Sequence, residues 1–288
     1  MIAVLAGLAA AFTWAGSSLS AVRSSRLSDP LAVVAGMMLV GLVICIPIAA
    51  SEGVPSRLHG SAWLWLGLAG GGNVGGLLLT YAAFRRGQVS LIAPLVSTEG
   101  AVAAVIAVLA GEHLSFAAAA ALLVAVAGVC AASMRPQVAS GVEPAHPVAS
   151  SHVVVVALAL VAALFFGLSL YSTGRAGALL PSAWVVSAAR VVGVLAIALP
   201  LAVSGRLRLT RQAVPYVVTS GICEVGGFFL YTLGARHGIA VAAVLGSQFS
   251  TFVVIGSYFL FGERLGRFQL AGVCAVIVGV SLVSAVTG

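Results

Sequence analysis

The sequence predicts an all-α polytopic membrane protein, with ten transmembrane helices arranged as two inverted five-helix repeats. Two observations carry this. Apolar stretches long enough to span a bilayer follow one another along the chain, and a single offset aligns its first half with its second. Of 288 residues, 61% are hydrophobic and only 7% charged, and mean hydropathy is +1.17. A soluble domain needs far more polar surface.

A spanning helix takes about 20 apolar residues. In order, the spans fall at 2–22, 31–51, 61–84, 89–110, 115–134, 152–173, 181–203, 212–235, 239–261 and 267–286. The first lacks a basic residue ahead of its apolar run and is long enough to cross, so it reads as a helix rather than a signal segment. Polar connections punctuate the rest: Arg23 to Asp29, Glu52 to His59, Arg85 with Arg86, Glu112 with His113, Arg206 to Arg211, and Glu263 to Arg267. The longest connection, 135–151, holds three prolines and several serines and reads as a linker between repeats at 1–134 and 152–288.

Glu112 stands 151 positions before Glu263, and the same offset pairs Pro30 with Pro181, Gly16 with Gly167, Gly87 with Gly238, Gly111 with Gly262 and Gly128 with Gly279. It also lays Asn73-Val74-Gly75-Gly76 on Glu224-Val225-Gly226-Gly227 without a gap. Five crossings per half is an odd number, so the second half starts on the opposite side of the membrane. Inverted repeats of this kind build alternating access around a midplane site.

Several motifs resemble the EamA family of the drug/metabolite transporter superfamily. They are Trp14-Ala15-Gly16, Ala93-Pro94-Leu95, Gly111-Glu112-His113-Leu114 with Gly128, and the second-half copy Gly262-Glu263-Arg264-Leu265 with Gly279. The resemblance covers nearly the whole chain. It implies a ten-helix secondary carrier of metabolites, amino-acid-like compounds or drugs, often an exporter, with both termini cytoplasmic. Leu245 stands where a second copy of Pro94 belongs, and Phe165 where a second Trp14 does, so the halves have specialised.

Ionisable groups deep in a span cost about 2.5–3.5 kcal/mol on insertion scales and mark function by default. Glu99 in the fourth span, Arg190 in the seventh and Glu224 in the eighth qualify, with Asn73 and Gln248 as further mid-span polar groups. They predict a polar substrate or coupling cavity in which Arg190 pairs with Glu224 or Glu99 and substrate or a proton competes. The alternative is an ion pair that only fixes helix register. Trp14, Tyr81 and Tyr231 are candidates for the cavity wall, or for interface packing. Gly67, Gly71 and Gly75 fall four apart, a small-residue stripe broadened by Gly72 and Gly76 and partly repeated by Gly226 and Gly227, so the third and eighth helices are expected to pack closely and move. Pro94, five residues before Glu99, is the expected functional kink. Glu112 and Glu263 are expected to cap the helices that follow them.

Other classes fit less well. Cys45, Cys130, Cys223 and Cys274 lack metal-ligand spacing, and the five histidines lie in or beside connections, so no metal, cofactor or catalytic constellation is expected. Fourteen arginines, no lysine and seven acids give a net charge of +7, yet the arginines border apolar stretches rather than cluster, which points to lipid headgroups and not nucleic acid. Expected partners are membrane lipids and a small-molecule substrate, with room for a homodimer. A structural subunit or a lipid flippase is the alternative. Composition rich in Ala, Val and Gly suggests a bacterial cell membrane. Ten arginines in the connections after odd-numbered helices against three in the others favour termini outside, against the family expectation.

Overall fold

Apolar composition on every side gives these helices no wet face, as expected of segments buried among one another or in lipid. The fold comes from a computed structural model that describes residues 1–56, 58, 60–84, 86, 92, 95–133, 152–261, 270–275, 277–279 and 282. These residues form helices α1 (Ile2–Ser25), α2 (Pro30–Ser51), α3 (Ser61–Phe84), α4 (Glu99–Leu109), α5 (Phe116–Ser133), α6 (His152–Leu179), α7 (Ser182–Val203), α8 (Val214–Ala235), α9 (Ile239–Gly246) and α10 (Phe249–Phe261), and no strand. A further short apolar helix covers Leu270–Gly279. Among the described residues six helices are long and apolar enough to cross a membrane: α1, α2, α6 from Val153, α7, α8, and α3 up to Thr80. The other apolar helices are shorter. Pro94 and Glu263, named above, lie outside the described residues, as does the Tyr81 side chain.

Local chemistry explains the helix ends. Asp29 caps α2 by accepting from Leu31 N at 2.9 Å, with Pro30 at the first helical position, where a missing N–H costs nothing. Pro200 withholds the N–H that the carbonyl of Ala196 would receive, and α7 answers with a π turn over Val194–Ala198 rather than a break.

The predicted ninth helix, 239–261, is divided in two. Ser247 Oγ and Gln248 Nε2 both donate to the carbonyl of Val244, at 2.8 and 2.9 Å, while Gln248 N reaches back only three residues to Leu245 O. Polar side chains that compete for helix carbonyls loosen the ladder at that turn. The first half does the same ahead of α4, where Thr98 N and Thr98 Oγ1 both donate to Leu95 O. Thus Glu99, predicted ten residues into a continuous helix, is the first residue of α4.

The tertiary arrangement is pairwise. α1 lies along α8, α6 lies along α3, α2 packs on α7, and α4 crosses α9 and α6. The glycine seam expected in α3 is made by Gly72, Gly75 and Gly76. A Cβ on Gly72 would meet the Phe165 carbonyl at 2.7 Å, one on Gly76 the Phe166 ring, and one on Gly75 the Phe165 ring. Gly71 and Gly67, placed in that stripe by spacing, have nothing within 4 Å, because they point off the exposed side of the helix. In α8 the Trp14 ring occupies the space beside Gly227, whereas Gly226 faces open space.

α4 closes in a Schellman turn: Glu112 N donates to Ala107 O at 2.9 Å and Gly111 N to Val108 O at 3.0 Å, with Gly111 at φ +98°. That turn aims the Glu112 carboxylate across the molecule. It accepts from Ile239 N and Ala240 N, both at 3.1 Å, and so caps α9 rather than the next helix, α5, whose first turn is held by Ser115. A charged acceptor on two free helix N–H groups is expected to matter by about 1–2 kcal/mol. Glu112→Ala should lower stability in detergent by that amount and Glu112→Gln by less, read by chemical or thermal unfolding.

Candidate functional site

Arg190 enters the protein from the middle of α7 and is fully buried, though a guanidinium carries five donors and cannot shed its charge. Its partners come from two other helices, α2 and α8. Nη2 lies 3.8 Å from Glu224 Oε1 on α8, Nη1 donates to the thioether of Met38 on α2 at 3.3 Å, and the guanidinium carbon sits 4.9 Å from the centre of the Phe228 ring. Gly41 makes this possible, since a Cβ there would stand 2.9 Å from Arg190 Cδ. Nε and Nη2 have no hydrogen-bond acceptor among the described residues. The pairing left open above between Glu224 and Glu99 falls in this structure on Glu224, at a distance long for a direct hydrogen bond.

Glu224 retains 20% of its side-chain exposure. Its other oxygen accepts from Ser17 Oγ at 3.2 Å, and Ser17 shares a 2.9 Å hydroxyl contact with Ser220, one turn before Glu224, whose Oγ also donates to the Ser17 carbonyl. Glu99, 9% exposed, is the first residue of α4. Arg190 of α7 and Glu224 of α8, with α1 and α2 supplying Ser17 and Met38, therefore form one polar centre between residues of both halves.

An aromatic wall stands beside it. Trp14 packs edge-on to Phe228 with centroids 5.1 Å apart and lies 5.9 Å from Tyr231. Tyr231 is fully buried and its hydroxyl donates to the Leu170 carbonyl of α6 at 2.8 Å, which commits that group to holding α8 on α6. Asn73 and Gln248 are buried, and neither hydrogen-bonds to Arg190, Glu224 or Glu99. Asn73 Oδ1, Gln248 Oε1, Trp14 Nε1 and the hydroxyls of Ser172, Ser187 and Thr251 are buried without a partner among the described residues.

Sequence reasoning missed Ser17, Ser220, Met38 and Phe228. Small hydroxyls and a methionine inside apolar runs carry no periodic or charge signal. The one available clue was that Ser17 follows the Trp14-Ala15-Gly16 motif directly.

A cavity of about 820 Å³ opens at one end of the α1–α8 seam, lined by Arg23, Arg26, Gln212, Tyr216 and Thr219 among others, and does not include Arg190, Glu224 or Glu99. Thr219 in its lining is the neighbour in sequence of Ser220, whose contact with Ser17 holds Glu224.

The model of the EamA-like transporter family matches residues 1–134 and again 153–285. A solved crystal structure superposes with a TM-score of 0.79 at 18% sequence identity, covering 99% of this chain and 96% of that one, which is a likeness of fold. No curated protein matches the chain.

Proposed function

Because the chain belongs to the EamA-like transporter family, and is thus a multi-pass membrane transporter of small molecules within the drug/metabolite transporter superfamily, we propose that it is a secondary carrier, exporting a small polar metabolite or drug from a bacterial cell through the Arg190–Glu224–Glu99 centre. It works by alternating access between two inverted five-helix halves, ten spans in all. The observation that carries this is the buried Arg190 guanidinium, held by one loose ion pair, a sulfur and a ring face. A purely structural arginine would be expected to have its donors filled.

The pairing of helices supports the two-half reading. α1 against α8 corresponds under the 151-residue offset to α6 against α3, and the loosened turns at Thr98 and Gln248 fall at nearly matching places. Those turns touch, since a Cβ on Gly100 would strike Ser247 and the Ala243 carbonyl. Helices interrupted where they cross beside a buried charged centre are suited to rocking about it. Substrate would displace Glu224 from Arg190 and fill the empty donors, while Glu99 offers a second carboxylate for a cationic group or a proton.

A ligand-stabilisation screen on the detergent-purified chain tests the reading, using amino acids, sugars, nucleosides and cationic drugs. A compound that binds the folded state raises the melting temperature by mass action. One class is expected to stabilise wild type, with the response lost in Glu99→Gln and Glu224→Gln although both remain folded. Variants that respond as wild type does would make these residues structural.

A further inference from the structure

The turn between α9 and α10 gathers buried oxygens that the Arg190–Glu224 pair does not use. Gln248 is fully buried, and its Nε2 donates to the Val244 carbonyl at 2.9 Å. A carbonyl accepts only from a donor, so the amide is fixed with Oε1 turned away from Val244, and Oε1 has no hydrogen-bond partner among the described residues. Thr251 stands three residues on, along the same face, and is buried with its Oγ1 equally unpartnered. The backbone tightens here as well. Gln248 N reaches back three residues to Leu245 O at 3.2 Å and Thr251 N three residues to Gln248 O at 2.9 Å, so the four-residue ladder gives way across the turn.

α4 of the first half begins against this turn. A Cβ on Gly100 would strike the Ser247 hydroxyl and the Ala243 carbonyl, so α4 and the turn are in contact, and Glu99, the one acid of α4, is the buried residue before Gly100. Trp14 closes another side, since a Cβ on Gly246 would lie 3.0 Å from its ring. An amide oxygen, a hydroxyl oxygen and a carboxyl group brought to one helix interruption in a dry interior make a hard, all-oxygen donor set with a single negative charge. Divalent ions are held by several carboxylates, whereas one carboxylate among neutral oxygens balances a monovalent cation, and membrane carriers hold coupling ions at interrupted helices. Such a set carries none of the cysteine or histidine spacing that marks a transition-metal site in a sequence. We infer that this turn is a sodium site, with Gln248 Oε1 and Thr251 Oγ1 as ligands and Glu99 supplying the charge. Its ligands come from both halves, so a bound ion would favour the arrangement in which α4 and α9 touch.

The test uses the full chain purified in neutral detergent and unfolded thermally in sodium chloride, potassium chloride or choline chloride at one ionic strength. Sodium is expected to raise the melting temperature saturably, above the values in the other two salts. Thr251→Val removes the oxygen while keeping the branched shape, and should need about tenfold more sodium for the same rise. Thr251→Ser keeps the hydroxyl and should respond as wild type, and Gln248→Leu should lose the response. Thr80→Val removes another buried, unpartnered hydroxyl, on α3, and should leave the sodium response unchanged. The two Thr251 variants decide the matter if Gln248→Leu fails to fold. Equal melting temperatures in the three salts overturn the site, as does a Thr251→Val protein that responds to sodium as wild type does. No substrate is added, so sodium binding is read whether or not the Arg190 centre carries one.

Discussion

Arg190→Met combined with Glu224→Gln is expected to fold at or above wild-type stability and to lose transport by roughly a hundredfold or more. The reasoning starts from what the pair costs. Both groups have been taken largely out of water, the ion pair is 3.8 Å long, and two guanidinium nitrogens have no acceptor among the described residues, so the Coulombic return is small against desolvation. A methionine is unbranched and fills the space between Met38, Gly41 and Phe228 without a charge. Arg190→Ala alone should behave differently, losing about 3–5 kcal/mol by leaving the Glu224 carboxylate without its cation and a cavity where the stem lay. Unfolding and flux measured on the same three proteins separate the readings. Stability restored in the double variant with flux still absent identifies a functional ion pair. Flux that recovers with stability identifies a structural one.

Gly100→Ala is expected to lower stability by about 1–3 kcal/mol and to slow transport more than its stability loss explains. The added methyl would meet the Ser247 hydroxyl and, at 2.6 Å, the backbone carbonyl of Ala243. A backbone cannot rotate aside, so α4 and α9 must separate at the place where both are loosened. Gly71→Ala is the matched control, because nothing lies within 4 Å of its missing Cβ. Thermal unfolding in detergent with flux in vesicles checks both. A Gly100→Ala protein as stable and as fast as wild type would show that the crossing is slack.

Class and family were legible because they rest on signals that survive without contacts: long apolar runs, and Gly-Glu turns repeated at one offset. The pairing of Glu224 with Arg190 could be named only as one of two options, since helix order in sequence does not say which faces meet. The glycine stripe could be drawn only broadly for the same reason: spacing places Gly67, Gly71, Gly72, Gly75 and Gly76 on α3, but only the neighbour α6 decides that Gly72, Gly75 and Gly76 are the ones packed against it. The division of the ninth span was hidden because Ser247 and Gln248 read as polar residues within a helix, while their bonds to Val244 depend on three-dimensional geometry. Glu112 was read as a capping residue from its position after Gly111, but its target in α9 is 127 residues away, beyond any local rule.

Counterflow in reconstituted vesicles tests alternating access most directly. Vesicles are loaded with an excess of the unlabelled compound that stabilises the protein, and uptake of a trace of labelled compound is followed. A carrier whose single site faces one side at a time predicts transient accumulation of label above equilibrium, abolished in the Arg190→Met/Glu224→Gln protein. Label that only equilibrates, at a rate the internal compound does not change, would contradict the account and point to a channel or to a membrane subunit that carries nothing.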